Sequence, residues 1–279
     1  MSSVAKSDRA DPRTSKPGRM ERMAALGARP VLVVLTEIGN TVILAARAMF
    51  WLFRRPFRWR QILQAMEFIG VDSVPVILLV GLFVGAAFSL QTVSAFRMFK
   101  AESFIGSTVT LALSRELAPV LAAIMVAARA GSAMATELGS MRITEQIDAL
   151  HTLAVNPVQY LVTPRIVAST IMVPILTMVF ILVGVVGAYF VAVGIMHVDE
   201  GYFVANTRWY VDAEDLVQGL IKGGVFGFVL SAIGCYQGFY AKGGAKGVGL
   251  ATTRAVVQSS VLILVLDYFL TDMLFTIDM

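Results

Sequence analysis

The sequence predicts an all-α integral membrane protein: five transmembrane helices preceded by an N-terminal interfacial amphipathic helix, with a short polar helix between the second and third spans. Three observations predict it. Of 279 residues, 57% are hydrophobic and 15% charged, where soluble domains carry about 25% charged residues. The mean hydropathy is +0.75. The apolar runs reach the roughly 20 residues that a helix needs to cross a bilayer, and one polar stretch, Glu137–Leu150, stands between two of them.

Residues 1–30 mix Lys6, Arg9, Arg13, Lys16, Arg19 and Arg22 with Ser, Pro and Asp and hold no compact apolar segment. They read as a disordered cytoplasmic tail rather than a cleaved signal peptide. Residues 31–72 form an interfacial region. Val31–Phe53 is apolar but interrupted by Glu37, Asn40 and Arg47, and Arg29 on one side faces Arg54, Arg55, Arg58 and Arg60 on the other. Basic residues at both ends disfavour a crossing, so the segment is expected to lie on the cytoplasmic leaflet, with Trp51 and Trp59 at headgroup level; a true span is the alternative.

Residues 73–279 form the five-span domain. The first span, Ser73–Phe96, tolerates Pro75 in its first turn and offers Gly81 and Gly85 as a close-packing face. Glu67 and Asp72, just before it, are expected to be solvated. The second span, Phe104–Ala130, contains Pro119 and leads into Glu137–Leu150. There Ile143, Ile147 and Leu150 recur at i, i+4 and i+7, while Arg142, Glu145, Gln146 and Asp148 fall elsewhere on the wheel. That pattern predicts a short amphipathic helix with Thr144 as its cap and Glu145 in its first turn. Its polar face either meets a soluble partner or is simply solvated.

Asn156-Pro157 breaks the polar region, and Pro164-Arg165 opens the third span, Ile166–Met196, in which Pro174 allows a bend. His197–Asp215 reads as an acidic loop with Tyr202, Phe203, Trp209 and Tyr210 as interface anchors. The fourth span, Leu216–Tyr240, spaces Gly219, Gly223 and Gly227 for tight helix contact. Lys242–Thr253 reads as a Gly-rich basic loop, and Arg254–Leu274 as the fifth span. Basic residues gather in the tail, the Glu137 segment and the Lys242 loop, whereas Asp199, Glu200, Asp212, Asp272 and Asp278 fall on the other face. The positive-inside rule then puts the N-terminus in and the C-terminus out.

Some chemistries are disfavoured at once. The single cysteine, Cys235, excludes an internal disulfide, and His151 and His197 have no metal-ligand spacing around them. Gly243-Gly244-x-x-Gly247-x-Gly249 is not a phosphate loop, because no Gly-Lys dipeptide occurs and no buried strand precedes it. The chain is therefore not expected to be an enzyme or to hydrolyse nucleotide. Arg115, Glu116 and Lys222 lie inside predicted spans, where ionisable groups are costly and are paired or turned toward a cavity. They are the candidate functional residues, with snorkelling of Arg115 and Glu116 to the interface as the alternative.

Several blocks then point to a family. Arg115-Glu116-Leu117-Ala118-Pro119-Val120, Ala128-Arg129-Ala130-Gly131-Ser132-Ala133, Glu137 through Ile147, Asn156-Pro157, Pro164-Arg165 and Gly249 through Val257 follow in order. From about Ala45 onward the chain resembles the MlaE (YrbE-like) permeases of ABC lipid transporters that work with MCE proteins. The resemblance implies a homodimer in the bacterial inner membrane. ABC ATPase subunits would flank it on the cytoplasmic side, a STAS-domain protein can accompany them, and an MCE-domain protein would cap the outer side. ATP and Mg would belong to the partner ATPase, no cofactor to this chain, and no nucleic acid is implied.

By the same resemblance, the polar segment would be the coupling helix, with Glu137, Arg142, Thr144, Glu145, Gln146 and Asp148 facing the ATPase. Phe88, Gln91, Phe96 and Phe99, with Arg115, Glu116 and Lys222, would border a cavity for lipid, phospholipid first. Two rivals remain at this stage. An ion-coupled secondary transporter would use Glu116 and Lys222 and expects repeated halves, which the sequence lacks. A non-transporting scaffold would use only the Glu137 segment.

Overall fold

The computed structural model describes residues 19–52 and 59–277, and every described element is helical. Its contacts divide the chain into residues 1–40 and residues 41–279. The first unit contributes the start of α1 (Arg19–Leu52). This helix already begins at Arg19, so residues 19–30 are not the irregular tail the sequence suggested. Met20, Glu21, Arg22, Met23, Ala24, Ala25 and Leu26 are all strong helix formers, which explains the difference. Residues 1–18 of the expected tail lie outside the described residues.

The second unit holds everything else. Residues 41–52 of α1 bury Leu44, Ala45 and Ala48 and expose Val42, Ile43 and Phe50. The Ala48 carbonyl accepts a 3.1 Å hydrogen bond from Thr163 Oγ1. Among the described residues, five helical stretches are long and apolar enough to cross a membrane: 59–98, 102–143, 158–195, 213–239 and 244–274. The chain is thus a multi-pass membrane protein with the expected number of spans, each reaching further than hydropathy alone drew it.

The first stretch joins α2 (Trp59–Ile69) through the 3-10 turn Val71–Ser73 to α3 (Val74–Met98). Within α2, Ile62 and Ile69 are buried and α2 packs on α8, so it belongs with the bundle rather than with an isolated interfacial helix. The second stretch is α4 (Ile105–Ala112), a π turn at Leu113–Leu117, α5 (Ala118–Val126), a second π turn at Ala127–Gly131, and α6 (Ser132–Ile143). At 1.5 Å per residue it is about 58 Å long, so against a hydrocarbon core of about 30 Å it extends well beyond the membrane. Pro119 accounts for the first interruption. It has no N–H to give to the carbonyl four residues back, and a π turn is a local way to absorb that loss.

After α7 (Gln146–Thr152), Asn156 Oδ1 accepts from the Val158 and Gln159 amides at 3.0 and 3.4 Å and opens the π turn Val158–Val162. This leads into α8 (Thr163–Tyr189), which closes in another π turn at Phe190–Ile195. The predicted loop His197–Asp215 is in fact largely α9 (Glu200–Tyr210). Asp199 caps it, its carboxylate accepting from the Tyr202 amide at 3.0 Å, and Phe203 is buried. Asp199 caps α9, and Asp212 and Asp215 form the capping box of the helix after it, so these acids are helix signals rather than loop residues. α10 (Ala213–Phe239) follows, and α11 (Gly244–Ile277) begins ten residues before the predicted fifth span. Only Gly243 and Gly244 of the expected Gly-rich loop adopt positive φ, at 95° and 66°. The remaining glycines there are simply helical.

The glycine faces named from the sequence are used inside this chain. A Cβ on Gly85 would run into the carbonyl of Gly184, and one on Gly187 into the carbonyl of Leu82, so α3 and α8 lie backbone to backbone. On α10, Gly219 meets the Ser114 carbonyl, Gly223 meets Thr177 and Pro174, and Gly227 meets the Ser169 carbonyl. Where lipid tails are as apolar as Leu, such close van der Waals packing is what holds helices together.

Candidate functional site

Lys222 is the residue around which the charged groups assemble. It sits two turns into α10, is 1% exposed, and its Nζ has four oxygen neighbours. It donates to the Arg115 carbonyl at 2.9 Å, to Glu116 Oε2 at 2.9 Å and to Thr271 Oγ1 at 2.7 Å, and it stands 3.1 Å from Asp267 Oδ1. The Arg115 carbonyl is the one that Pro119 leaves without its ordinary helical donor, so the lysine satisfies a vacancy set by the sequence itself. Thr271, one turn after Asp267 on α11, donates to the Asp267 carbonyl at 2.8 Å, and its Oγ1 also lies 3.2 Å from Glu116 Oε1.

The same π turn aims Arg115 the other way. Its Nε donates to Asp215 Oδ1 at 2.6 Å, and a second guanidinium nitrogen reaches the same carboxylate. Asp215 is 2% exposed and is also the third residue of α10, where its Oδ2 accepts from the Asp212 amide at 2.9 Å in a capping box. Two cations and three carboxylates are thus interlocked across the second, fourth and fifth spans. The structure brings Arg115, Glu116 and Lys222 into one network and adds Asp215, Asp267 and Thr271. Asp267 had a signal, an acid inside an apolar run with a threonine four residues on. Asp215 was hidden among the acids of the supposed loop.

A second arginine marks the other π turn of the same stretch. Arg129 donates to the Phe68 carbonyl and to Asp72 Oδ2, the latter at 2.7 Å, and lies 4.7 Å from the centre of the Phe68 ring. Asp72 is therefore paired rather than merely solvated, because the π turn brings the guanidinium to the junction of α2 and α3. Glu67 is exposed.

The polar segment Glu137–Leu150 is two helices, not one. Glu137 lies midway along α6, Arg142 and Ile143 end it, Thr144 closes it, Glu145 turns back in the left-handed region at φ 60°, and Gln146 and Asp148 begin α7. Thr144 does not cap α7. Its amide and its Oγ1 both bond the Ser140 carbonyl, at 3.1 and 2.8 Å, so it satisfies the helix it leaves. A helical wheel cannot register such a reversal, because Ile147 is buried and Leu150 half-buried on either reading while Ile143 stays exposed. Across the turn, Arg142 Nη1 bonds Asp148 Oδ1 at 2.7 Å. Glu137 pairs instead with Arg165 at 2.8 Å. Glu145 and Gln146 remain exposed at the tip.

Phe88, Gln91 and Phe96 lie apart from Lys222 in the chain's packing, on α3, a helix whose main neighbour is α8. Phe88 and Phe96 are half-buried against the core, Gln91 is exposed, and Phe99, past the end of α3, is 80% exposed. Leu79 and Phe83 continue the exposed apolar surface of that helix.

Five apolar helical stretches that hold a network of charges between them define the class as a polytopic membrane protein. Comparison with known sequences gives the family. The model of the family Permease MlaE matches residues 62–273, and the chain belongs to that family. It is 42% identical over 253 residues to a probable ABC transporter permease protein of Rickettsia bellii, covering 91% of this chain and 97% of that one. The protein TRIGALACTOSYLDIACYLGLYCEROL 1, chloroplastic, of Arabidopsis thaliana is 38% identical over 84% of this chain and 67% of its own. The intermembrane phospholipid transport system permease protein MlaE of Haemophilus influenzae is 37% identical over 77% of this chain and 82% of its own.

Proposed function

We propose that this chain is the permease subunit of an ATP-driven phospholipid transporter of the bacterial inner membrane, passing lipid between that membrane and an MCE-domain carrier. The observation that carries the reading is the family match over nearly the whole bundle, together with a Haemophilus relative named for intermembrane phospholipid transport. Membership of an ABC permease family supports ATPase partners, with ATP and Mg bound there. On this reading two copies pair, the N-terminus and the α6–α7 turn face the cytoplasm, α9 and the C-terminus face the periplasm, and residues 31–52 lie along the inner leaflet. A STAS-domain protein is a further candidate subunit.

The α6–α7 turn is proposed as the ATPase contact. Glu145 and Gln146 supply its exposed tip, Thr144 closes the helix behind it, and the Arg142–Asp148 bridge holds its shape. Glu137 stiffens the base through Arg165. The lipid route is proposed along α3, past Phe88, Gln91, Phe96 and Phe99, with Arg115, Glu116 and Lys222 deeper in the bundle. The side chains of Arg115 and Glu116 are 33% and 40% exposed, so part of the network can reach a ligand.

The reading is tested by native mass spectrometry of the complex purified in mild detergent from its own host. The expected result is a dimer of this chain with a nucleotide-binding subunit and bound phospholipid. Recovery of a monomer free of both lipid and ATPase, across several gentle detergents, would overturn it.

A further inference from the structure

One side of α9 holds it to its own chain. Phe203 is buried, the Asn206 side-chain amide donates to the Ser103 carbonyl at 2.7 Å, and the Tyr210 ring lies 5.8 Å from that of Phe104. On the other side Glu200, Gly201, Val204, Ala205, Arg208 and Trp209 line one open depression of about 810 Å³. These residues recur at i, i+1, i+4, i+5, i+8 and i+9, a single stripe on a helix of about 3.6 residues per turn. All six are exposed, Trp209 to 79%. Because they come from one helix, the depression has no second wall. A small ligand, which ordinarily has about 70–90% of its surface covered, would stay largely in solvent there, whereas an element laid along α9 would fill it.

The chemistry of the stripe says what that element is. Its charges stand only at its ends: Glu200 opens it and Arg208 closes it eight residues on, about 12 Å away at 1.5 Å per residue. Among the described residues Arg208 has no ion-pair partner, and Glu200 accepts one hydrogen bond, from the Tyr189 hydroxyl at 2.8 Å, which leaves it further acceptor capacity. An anionic lipid surface would select a basic stripe, and this one is balanced. An acid at one end and a base at the other is instead the complement of the same stripe turned end for end. Gly201 agrees with this. A Cβ there would meet only Asp199 Oδ1, at 3.0 Å, whereas one on Gly85 or Gly219 would strike the backbone of a neighbouring helix, so the gap at Gly201 serves no packing within the chain.

We propose that α9 pairs antiparallel with α9 of a second copy of this chain. Pairing centred on Val204 and Ala205 sets Glu200 of each copy beside Arg208 of the other and brings each exposed Trp209 indole to the gap at the other copy's Gly201. The contact is isologous, so every charge pair and every substitution in it occurs twice. The inference rests on the reading that two copies pair, and it names a surface through which they do so.

The test is disulfide cross-linking of the full chain in the membranes of its host. Cys235 is buried and contributes no cross-link of its own. Val204→Cys should give a covalent dimer on mild oxidation, since a disulfide needs Cα atoms within about 7 Å of each other. Tyr202→Cys, also exposed but off the stripe, should not. Adding Glu200→Arg to Val204→Cys sets like charges against each other and should lower the cross-linked yield by about tenfold. Adding Arg208→Glu as well should restore it. That recovery cannot come from the Tyr189 hydrogen bond, which the second substitution does not bring back. No dimer through Val204→Cys, equal yields at Val204 and Tyr202, or no recovery in the charge-reversed variant would overturn the proposal and leave the face to lipid or to another protein. Where native mass spectrometry still finds two copies, such a result removes only the α9 contact; where it finds monomer, the reading beneath it falls as well.

Discussion

Lys222→Met is expected to destabilise the folded protein by about 3–5 kcal/mol, among the largest losses any single side chain here can cause. The lysine is the shared cation of Glu116 and Asp267 and the donor to the Arg115 carbonyl and Thr271. Methionine fills much of the same volume but leaves two carboxylates facing each other without a counter-ion, in a setting where burying an unpaired charge is expensive. The control follows from the same logic. Lys222→Met combined with Glu116→Gln and Asp267→Asn removes all three charges and should recover most of the loss, because no carboxylate is then left without its cation. Denaturation midpoints in detergent check this. A single variant as stable as the native chain would show that the network does not hold the three spans together.

Gly85→Ala should be the costliest alanine among the small residues of α3. Its new Cβ would fall on the backbone carbonyl of Gly184, and backbone cannot rotate aside as a side chain does, so α3 and α8 must separate. Overpacking of this sort costs about 1–3 kcal/mol, and leucine at the same position should cost more. Gly184→Ala on the facing helix is the informative comparison. Its Cβ would meet the Gly81 carbonyl and a Leu113 methyl at 3.4 Å, an ordinary contact, so the change should stay below about 1 kcal/mol. Equal melting temperatures for Gly85→Ala and Gly184→Ala would contradict the backbone-to-backbone contact.

What was legible in the sequence follows from what hydropathy and spacing can register. Apolar length gave the five spans, and the glycine spacing on α10 anticipated its contacts with Ser114, Thr177 and Ser169. Pro119 is visible in the second span. Its consequence, an Arg115 carbonyl met by Lys222 from more than a hundred residues away, is a tertiary event that no local pattern encodes. The reversal at Glu145 was invisible for a different reason: a non-glycine residue at φ 60° carries no compositional mark, and the Ile147 and Leu150 positions suit one helix or two. α9 was missed because acids that cap helices look like acids in loops. The resemblance to the permease family was readable from motif blocks, and the family match bears it out, whereas the partner of each charge needed coordinates.

The proposed function is that this chain passes phospholipid along α3 while a partner subunit hydrolyses ATP. The most direct measurement reconstitutes the chain with its ATPase subunit in proteoliposomes containing fluorescent phospholipid and follows transfer to an MCE-domain acceptor. Transfer that requires ATP, stops with a hydrolysis-dead ATPase and falls sharply when Glu145→Lys is introduced at the α6–α7 turn is the predicted result. Transfer that proceeds equally with the dead ATPase, or none with an active complex bearing the native chain, would contradict it.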